Sequence, residues 1–97
     1  MATYIVLSSF TDQGIRNAKD TTKRADAARE FGKKVGVTIK DIYWTVGQYD
    51  VVVVVDATDD ASMTAFSLGM SSQGNVRTQT LRAFSKDEMT GIIGKLG

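Results

Sequence analysis

The run of five valines from Val51 to Val55 constrains the fold of this chain more than any other feature. Valine is β-branched and favours extended strands. Successive side chains of a strand point to opposite faces, so the odd-numbered valines share one face and the even-numbered valines the other. A strand that is apolar on both faces belongs in the interior of a sheet. We therefore predict a central strand over Tyr49–Ala57.

Alternation and β-branched residues predict three further strands, at Ala2–Ser9, Val37–Val46 and Asn75–Phe84. Only Gly47-Gln48 separates the strand that starts at Val37 from the valine strand, which predicts a hairpin. The valine strand should therefore pair directly with its predecessor.

Apolar residues three and four positions apart predict two main helices. The first follows Asp20-Thr21 and ends at Gly36, where a helix C-cap glycine belongs. The second follows the capping residues Thr58-Asp59-Asp60 and ends at Gln73-Gly74. A third helix is predicted after Ser85, because Ser85 and Glu88 have the spacing of a capping box.

The resulting order β-α-β-β-α-β-α predicts a single α+β domain over residues 1–97 with a ferredoxin-like βαββαβ arrangement. The four-stranded antiparallel sheet should have the order 4-1-3-2, with Ala2–Ser9 and Tyr49–Ala57 in the centre. Both main helices would then cover one face of the sheet. The helix after Ser85 is an addition at the C-terminus.

The other face of such a sheet would be apolar and uncovered. Each large aliphatic side chain left in water forgoes about 1.5–3 kcal/mol relative to full burial. We expect a second copy to cover this face, giving a homo-oligomer, first of all a dimer, that encloses an α/β barrel. The alternative is a monomer in which the C-terminal helix lies over the sheet.

Composition excludes several function classes. The 97 residues include no Cys and no His, which removes thiolate and imidazole catalysis and the usual metal ligands. We therefore predict no metal site and no cofactor. The 12 basic and 11 acidic residues give a net charge of +1, which argues against nucleic acid as a partner. No segment predicts membrane insertion or export, so we expect a cytoplasmic protein.

The segment Gly47-Gln48-Tyr49-Asp50, followed by the valines, resembles the signature of the GYD domain family: a glycine, a variable residue, then Tyr-Asp opening a valine-rich strand. Three other segments resemble the same family, namely Gln13–Asn17, Tyr43-Trp44-Thr45 and Gly74–Phe84. The resemblance implies a ferredoxin-like chain related to the dimeric α/β-barrel superfamily. It implies no particular reaction, because that superfamily includes monooxygenases, isomerases, haem enzymes and ligand-sensing domains.

Asp50 and Tyr49 are the candidate catalytic residues, as a general base and a proton donor. Each also has a structural interpretation. Asp50 can pair with a cation such as Arg77 or accept hydrogen bonds from backbone amides near the hairpin. Tyr49 can pack at the start of the strand with its hydroxyl hydrogen-bonded.

Four residues are candidates for ligand binding. Asn75, Arg77 and Gln79 share one face of the last strand and would form a polar wall in an apolar pocket. Arginine suits the bidentate recognition of a carboxylate or phosphate. Trp44 and Tyr43 point to opposite faces, so one should join the core or an interface and the other should lie at the rim of a cavity; Trp44 is the candidate for ligand binding.

Two functions fit these observations. The first is a non-catalytic homo-oligomeric module, with a small molecule bound in a cavity formed by the open sheet face. The second is a cofactor-independent enzyme that acts on a small carbonyl or enolisable compound with Asp50 as base. The absence of a catalytic constellation favours the first function.

Overall fold

The computed structural model describes residues 1–97 and contains one four-stranded antiparallel sheet. Its strands are β1 (Ala2–Phe10), β2 (Val37–Trp44), β3 (Val51–Ala57) and β4 (Val76–Ala83). They lie in the order β2-β3-β1-β4, which is the predicted order read from the other edge. The predicted βαββαβ fold with an additional C-terminal helix is therefore confirmed.

The helices are α1 (Asp12–Arg16), α2 (Thr21–Val35), α3 (Asp60–Ser72) and α4 (Lys86–Gly94), with a 3-10 turn at Ala18–Asp20. Gly36 ends α2 in the left-handed conformation with a φ of 83°, as the sequence predicts for a C-cap glycine. Asp59 begins α3, because its carboxylate accepts a hydrogen bond of 2.7 Å from the Ser62 amide. None of the helices combines the length and the apolar character needed to cross a membrane.

The core lies between one face of the sheet and helices α2 and α3, and we call this side of the sheet the covered face. Val37 and Val55 are fully buried there. Phe31 of α2 stacks on Phe66 of α3 with the ring centroids 6.1 Å apart. Gly69 permits this approach, since a Cβ atom at that position would overlap the Phe31 ring.

A register shift between Ile39 and Asp41 interrupts the pairing of β2 with β3. Such an irregularity reverses the alternation of side chains along a strand. Before the shift the odd-numbered Val37 and Ile39 face the core. After the shift the even-numbered Ile42 and Trp44 lie on that same side. Tyr43 consequently lies on the opposite face.

Helix α4 does not lie over the sheet, so the predicted alternative of a C-terminal lid is not what the structure shows. No residue of α4 is buried, and Ile93 and the following Leu96 are 54% and 83% exposed. The predicted capping box is present, with Ser85 and Glu88 each bonding the other's backbone amide. Arg82 also lies 3.7 Å from the Glu88 carboxylate, so the start of α4 is held while its apolar stripe is left unpacked.

Candidate functional site

The face of the sheet opposite α2 and α3 carries a continuous apolar surface that nothing in the chain covers. We call it the open-face patch and define it by Ile5, Leu7, Tyr43, Val52, Val54 and Leu81. The pairing register places these side chains side by side across all four strands. Tyr43 and Leu81 are 58% and 41% exposed, and the four central side chains are half-buried by their neighbours.

Ile5 lies at the centre of the open-face patch, because it pairs with Val54 on one side and with Leu81 on the other. Leu7 pairs with Val52 and with Gln79. Cross-strand apolar pairs of this kind stabilise a sheet. Their outer surfaces nevertheless remain in contact with water, which marks the patch as a candidate interface.

The two ends of the open-face patch differ in charge. At one end, Asp56 accepts a hydrogen bond of 2.7 Å from the Thr3 hydroxyl and lies 3.7 Å from Lys40. At the other end, Arg77 pairs in register with Ser9, is exposed and forms none of the salt bridges of the chain. The patch is therefore an apolar surface with an acid–base pair at one end and an unpaired cation at the other, and the exposed Asp41 lies beside Val54 at its β2 margin.

Asp50 links the start of β3 to the end of β1 through hydrogen bonds. Its carboxylate accepts a bond of 2.8 Å from the Phe10 amide, and its own amide donates to the Ser8 carbonyl oxygen at 2.9 Å. Asp50 and Arg77 form no salt bridge, and Asp50 does not line the cavity on the covered face. Of the two structural interpretations, the contact with a backbone amide is the one observed.

Tyr49 reaches toward the last strand. Its hydroxyl donates a hydrogen bond of 2.9 Å to the side-chain oxygen of Gln79. Gln79 lies beside Leu7 on the open face, so the bond ties the β2–β3 connection to the margin of the open-face patch. The arrangement gives Tyr49 and Gln79 a part in shaping this surface.

Asn75 belongs to a turn rather than to a polar wall. Its backbone carbonyl oxygen accepts a bond of 3.1 Å from Thr11, and its side-chain oxygen accepts one of 3.0 Å from Gln13. Gly14 packs directly against the same carbonyl, and a Cβ atom there would overlap the oxygen. Two segments that carry the family resemblance, Gln13–Asn17 and Gly74–Phe84, therefore meet at this end of the sheet.

Trp44 lies on the covered side, where its indole nitrogen donates a bond of 3.0 Å to the Thr21 hydroxyl. The four predicted ligand-binding residues are thus not brought together. Arg77 and Gln79 lie on the open face, Asn75 at the turn before β4, and Trp44 beside α2. They do not form a single pocket within one copy of the chain.

A cavity of about 90 Å³ that was not predicted from the sequence lies on the covered face, between the sheet and helices α2 and α3. Ser8 is the signal that could have indicated it. In β1 the core positions are Tyr4, Val6 and Ser8, so a hydroxyl occupies a place where the pattern calls for an apolar side chain. Trp44 is the one predicted site residue that lines this cavity.

Shifted pKa values occur at hydrogen-bonded positions outside the open-face patch. Bonds from the Ser62 amide and hydroxyl lower the pKa of Asp59, and a bond from the Ser85 amide, assisted by Arg82, lowers that of Glu88. The Tyr4 hydroxyl donates to the Asp60 carboxylate, which raises the pKa of Tyr4 above its ordinary value. These groups cap helices or tie a strand to a helix.

Comparison with known proteins agrees with the fold. The model of the GYD domain matches residues 4–93. A protein of Thermus thermophilus, named glutamine synthetase and cystathionine beta-lyase binding protein, is 37% identical over 84 residues, which cover 86% of this chain and 88% of that protein. No solved structure shows a significant match. The match to the family model extends over nearly the whole chain, and the chain belongs to the GYD domain family.

Proposed function

We propose that this protein is a non-catalytic, homo-oligomeric binding module. In the proposed assembly, two copies pack sheet to sheet through the open-face patch, and the assembled molecule binds a protein partner. The single observation that carries the proposal is the uncovered apolar face of the sheet, which α4 leaves free. A surface of this kind on a small domain is typical of an interface.

The energetics of the patch support self-association. Six large side chains share the surface, and completing the burial of each contributes up to about 1.5–3 kcal/mol. Even half of that sum is comparable with the roughly 4–15 kcal/mol that association costs in lost freedom of motion. A patch of this composition is therefore adequate for a stable dimer if the two surfaces fit well.

The charges at the ends of the open-face patch supply self-complementarity. In a two-fold dimer with the strands of the two copies running in opposite directions, the Arg77 end of one copy faces the Asp56 end of the other. Arg77 would there approach the Asp56 carboxylate that Lys40 also contacts, which favours this register, while the apolar centre contributes most of the affinity. A small molecule held between the two sheets would meet Gln79 and Arg77 at the margin.

The proposal of a protein partner rests on the relative from Thermus thermophilus, whose name states that it binds glutamine synthetase and cystathionine beta-lyase. The two chains match over most of their lengths, so we extend this type of function to the present protein. We propose a metabolic enzyme as partner, with those two enzymes as the first candidates.

The second hypothesis, a cofactor-independent enzyme, gains no support from the contacts of Asp50. A general base needs a free carboxylate oxygen within reach of a bound substrate. One carboxylate oxygen of Asp50 accepts a bond from the Phe10 amide, and the other has no cavity beside it, because Asp50 lies outside the cavity of the covered face. We therefore do not adopt the enzymatic function.

Light scattering on a size-exclusion column over a dilution series tests the assembly. We expect a dimer that dissociates when Ile5, at the centre of the patch, is changed in Ile5→Asp. The matched control is Ile15→Asp, since Ile15 is 54% exposed but lies outside the patch. A monomeric wild-type protein at all concentrations, or equal effects of the two substitutions, would overturn the assembly.

Binding of a partner is tested separately with purified glutamine synthetase and cystathionine beta-lyase from the source organism of this chain. We expect at least one of them to bind the wild-type dimer in a calorimetric titration. The Ile15→Asp variant should bind as the wild type does. Failure of both enzymes to bind would contradict the proposed partners while leaving the assembly intact.

A further inference from the structure

The cavity on the covered face has a well-defined floor. Two rows of paired residues form it: Trp44, Val51, Ser8 and Thr78 in one row, and Ile42, Val53 and Val6 in the other. The roof consists of Ala25 and Ala28 of α2 together with Phe66 and Met70 of α3. The cavity exists because the roof residues of α2 are small, so the helix does not fill the space above the strands.

The walls of the cavity are largely apolar and contain no acidic residue. Arg24 is the only charged residue among them, and its guanidinium group is already engaged. It donates bonds to the carbonyl oxygens of Asn17 at 2.8 Å and of Gly14 at 3.4 Å, and it lies 5.7 Å from the centre of the Phe10 ring. A cation inside the cavity would meet this positive charge without a carboxylate to balance it.

Two hydroxyl groups in the floor have no protein partner. Ser8 and Thr78 are cross-strand neighbours, and neither hydroxyl takes part in any side-chain hydrogen bond of the chain. Ser8 is only 6% exposed. No unpartnered side-chain polar atom is sealed from solvent, so the Ser8 hydroxyl is reached through the cavity that it lines.

We infer that this cavity is a binding site for a small neutral molecule that has an apolar body and one carbonyl or hydroxyl oxygen. The oxygen bonds to the hydroxyls of Ser8 and Thr78, and the apolar body lies against the valines of β3 and the alanines of α2. Water that enters the cavity can bond to these hydroxyls, and a ligand that displaces the water must replace those hydrogen bonds, which gives the site its preference for an oxygen-bearing ligand.

The volume limits the size of the ligand. An apolar cavity of about 150 Å³ binds benzene, so by proportion a cavity of about 90 Å³ takes about four non-hydrogen atoms, and its open side leaves room for about one more. A short ketone or alcohol meets this limit. The site is separate from the open-face patch, because the sheet itself lies between them, and the inference does not depend on the proposed assembly.

The test uses butan-2-one as the probe and follows the backbone amides of the full chain by heteronuclear NMR. We expect saturable shifts at Ser8, Ala28, Met70 and Thr78 in the millimolar range. Ser8→Val should weaken binding about tenfold or more, because it replaces the hydroxyl with methyl groups. Ser9→Val is the matched control, since Ser9 lies next to Ser8 on the opposite face, and it should leave binding unchanged.

A second variant fills the space instead of removing the hydroxyl. Ala25→Leu should abolish binding of the ketone while the chain stays folded. The protonated amine butan-2-amine, which has the same size, should not bind to the wild type.

Three results would overturn the inference. They are the absence of saturable shifts up to the solubility limit of the ketone, equal effects of Ser8→Val and Ser9→Val, and equal binding of the ketone and the amine. The first result would mean that the cavity is a packing void occupied by water alone.

Discussion

Both faces of the sheet carry large apolar side chains, but their surroundings are opposite. Val55 points into a core closed by α2 and α3, whereas Val54, the next residue, points to a face with no cover. Helices α2 and α3 of the same chain bury the covered face. No element of the chain covers the open face, so one strand contributes both to the core of the domain and to the surface through which we propose that it associates.

Val55→Asp should have the largest effect, because it places an unpaired carboxylate at a position with 0% exposure. We expect a loss of about 4 kcal/mol or more of folding stability, enough to unfold a small domain. Circular dichroism and the dispersion of the NMR spectrum would show this directly. If Val55→Asp still folds and melts cooperatively, the covered face is less tightly packed around Val55 than its full burial indicates.

Val54→Asp makes the same chemical change on the other face, and the fold should survive. We expect the dissociation constant of the proposed dimer to rise about 30-fold or more, corresponding to roughly 2 kcal/mol for a residue central to an interface. Analytical ultracentrifugation measures this change. Val46→Asp is the control, because Val46 is fully exposed in the β2–β3 connection. If Val54→Asp unfolds the chain as Val55→Asp does, the distinction between the faces fails.

Asp50→Ala tests the hydrogen bond that joins the start of β3 to the end of β1. Removal of the carboxylate leaves the Phe10 amide without its acceptor and should lower stability by about 1–3 kcal/mol. Asp50→Asn should cost less, because its amide oxygen can accept the same bond. Arg77→Ala, at an exposed position without a salt bridge, should change the stability by no more than about 0.5 kcal/mol. Urea unfolding ranks the three variants, and an inert Asp50→Ala would contradict the structural role.

Acid should lower the free energy of unfolding through Asp59, the N-cap of α3, which packs on the covered face. Hydrogen bonds from Ser62 lower the pKa of Asp59 in the folded chain, so the stabilisation is present above the unfolded-state pKa. It is lost as the pH falls through the folded-state pKa. Asp59→Asn keeps a capping oxygen without a charge and should show a smaller loss of stability in acid. Urea unfolding at neutral and acidic pH measures this, and parallel curves for the two proteins would contradict the assignment.

Local signals in the sequence predicted the elements well because the physical cause lies within a few residues. Gly36 ends α2 through its positive φ, and Ser85 and Glu88 cap α4 by mutual hydrogen bonds. The strand order followed from the βαββαβ sequence of elements, and the two-faced valine strand indicated which strand is central. Each of these features depends on backbone geometry that the residue type itself favours.

The location of the site was harder to predict because it depends on register. The register shift between Ile39 and Asp41 places Trp44 on the covered face and Tyr43 on the open face. The residue types at these positions do not indicate the shift. Asn75 lies on the predicted strand face by alternation, but its bonds to Thr11 and Gln13 assign it to a turn. Spacing along the chain therefore could not show that Trp44, Asn75, Arg77 and Gln79 lie apart.

The degree of order in helix α4 indicates whether another surface is packed against it. The helix is short, holds two glycines and is secured at its first turn by Ser85, Glu88 and Arg82, so its order depends on what its apolar stripe touches. Lys95 follows directly after it. The rate at which trypsin cleaves after Lys95 therefore reports whether α4 is packed. We expect rapid cleavage when α4 is unpacked and slow cleavage when another surface holds it.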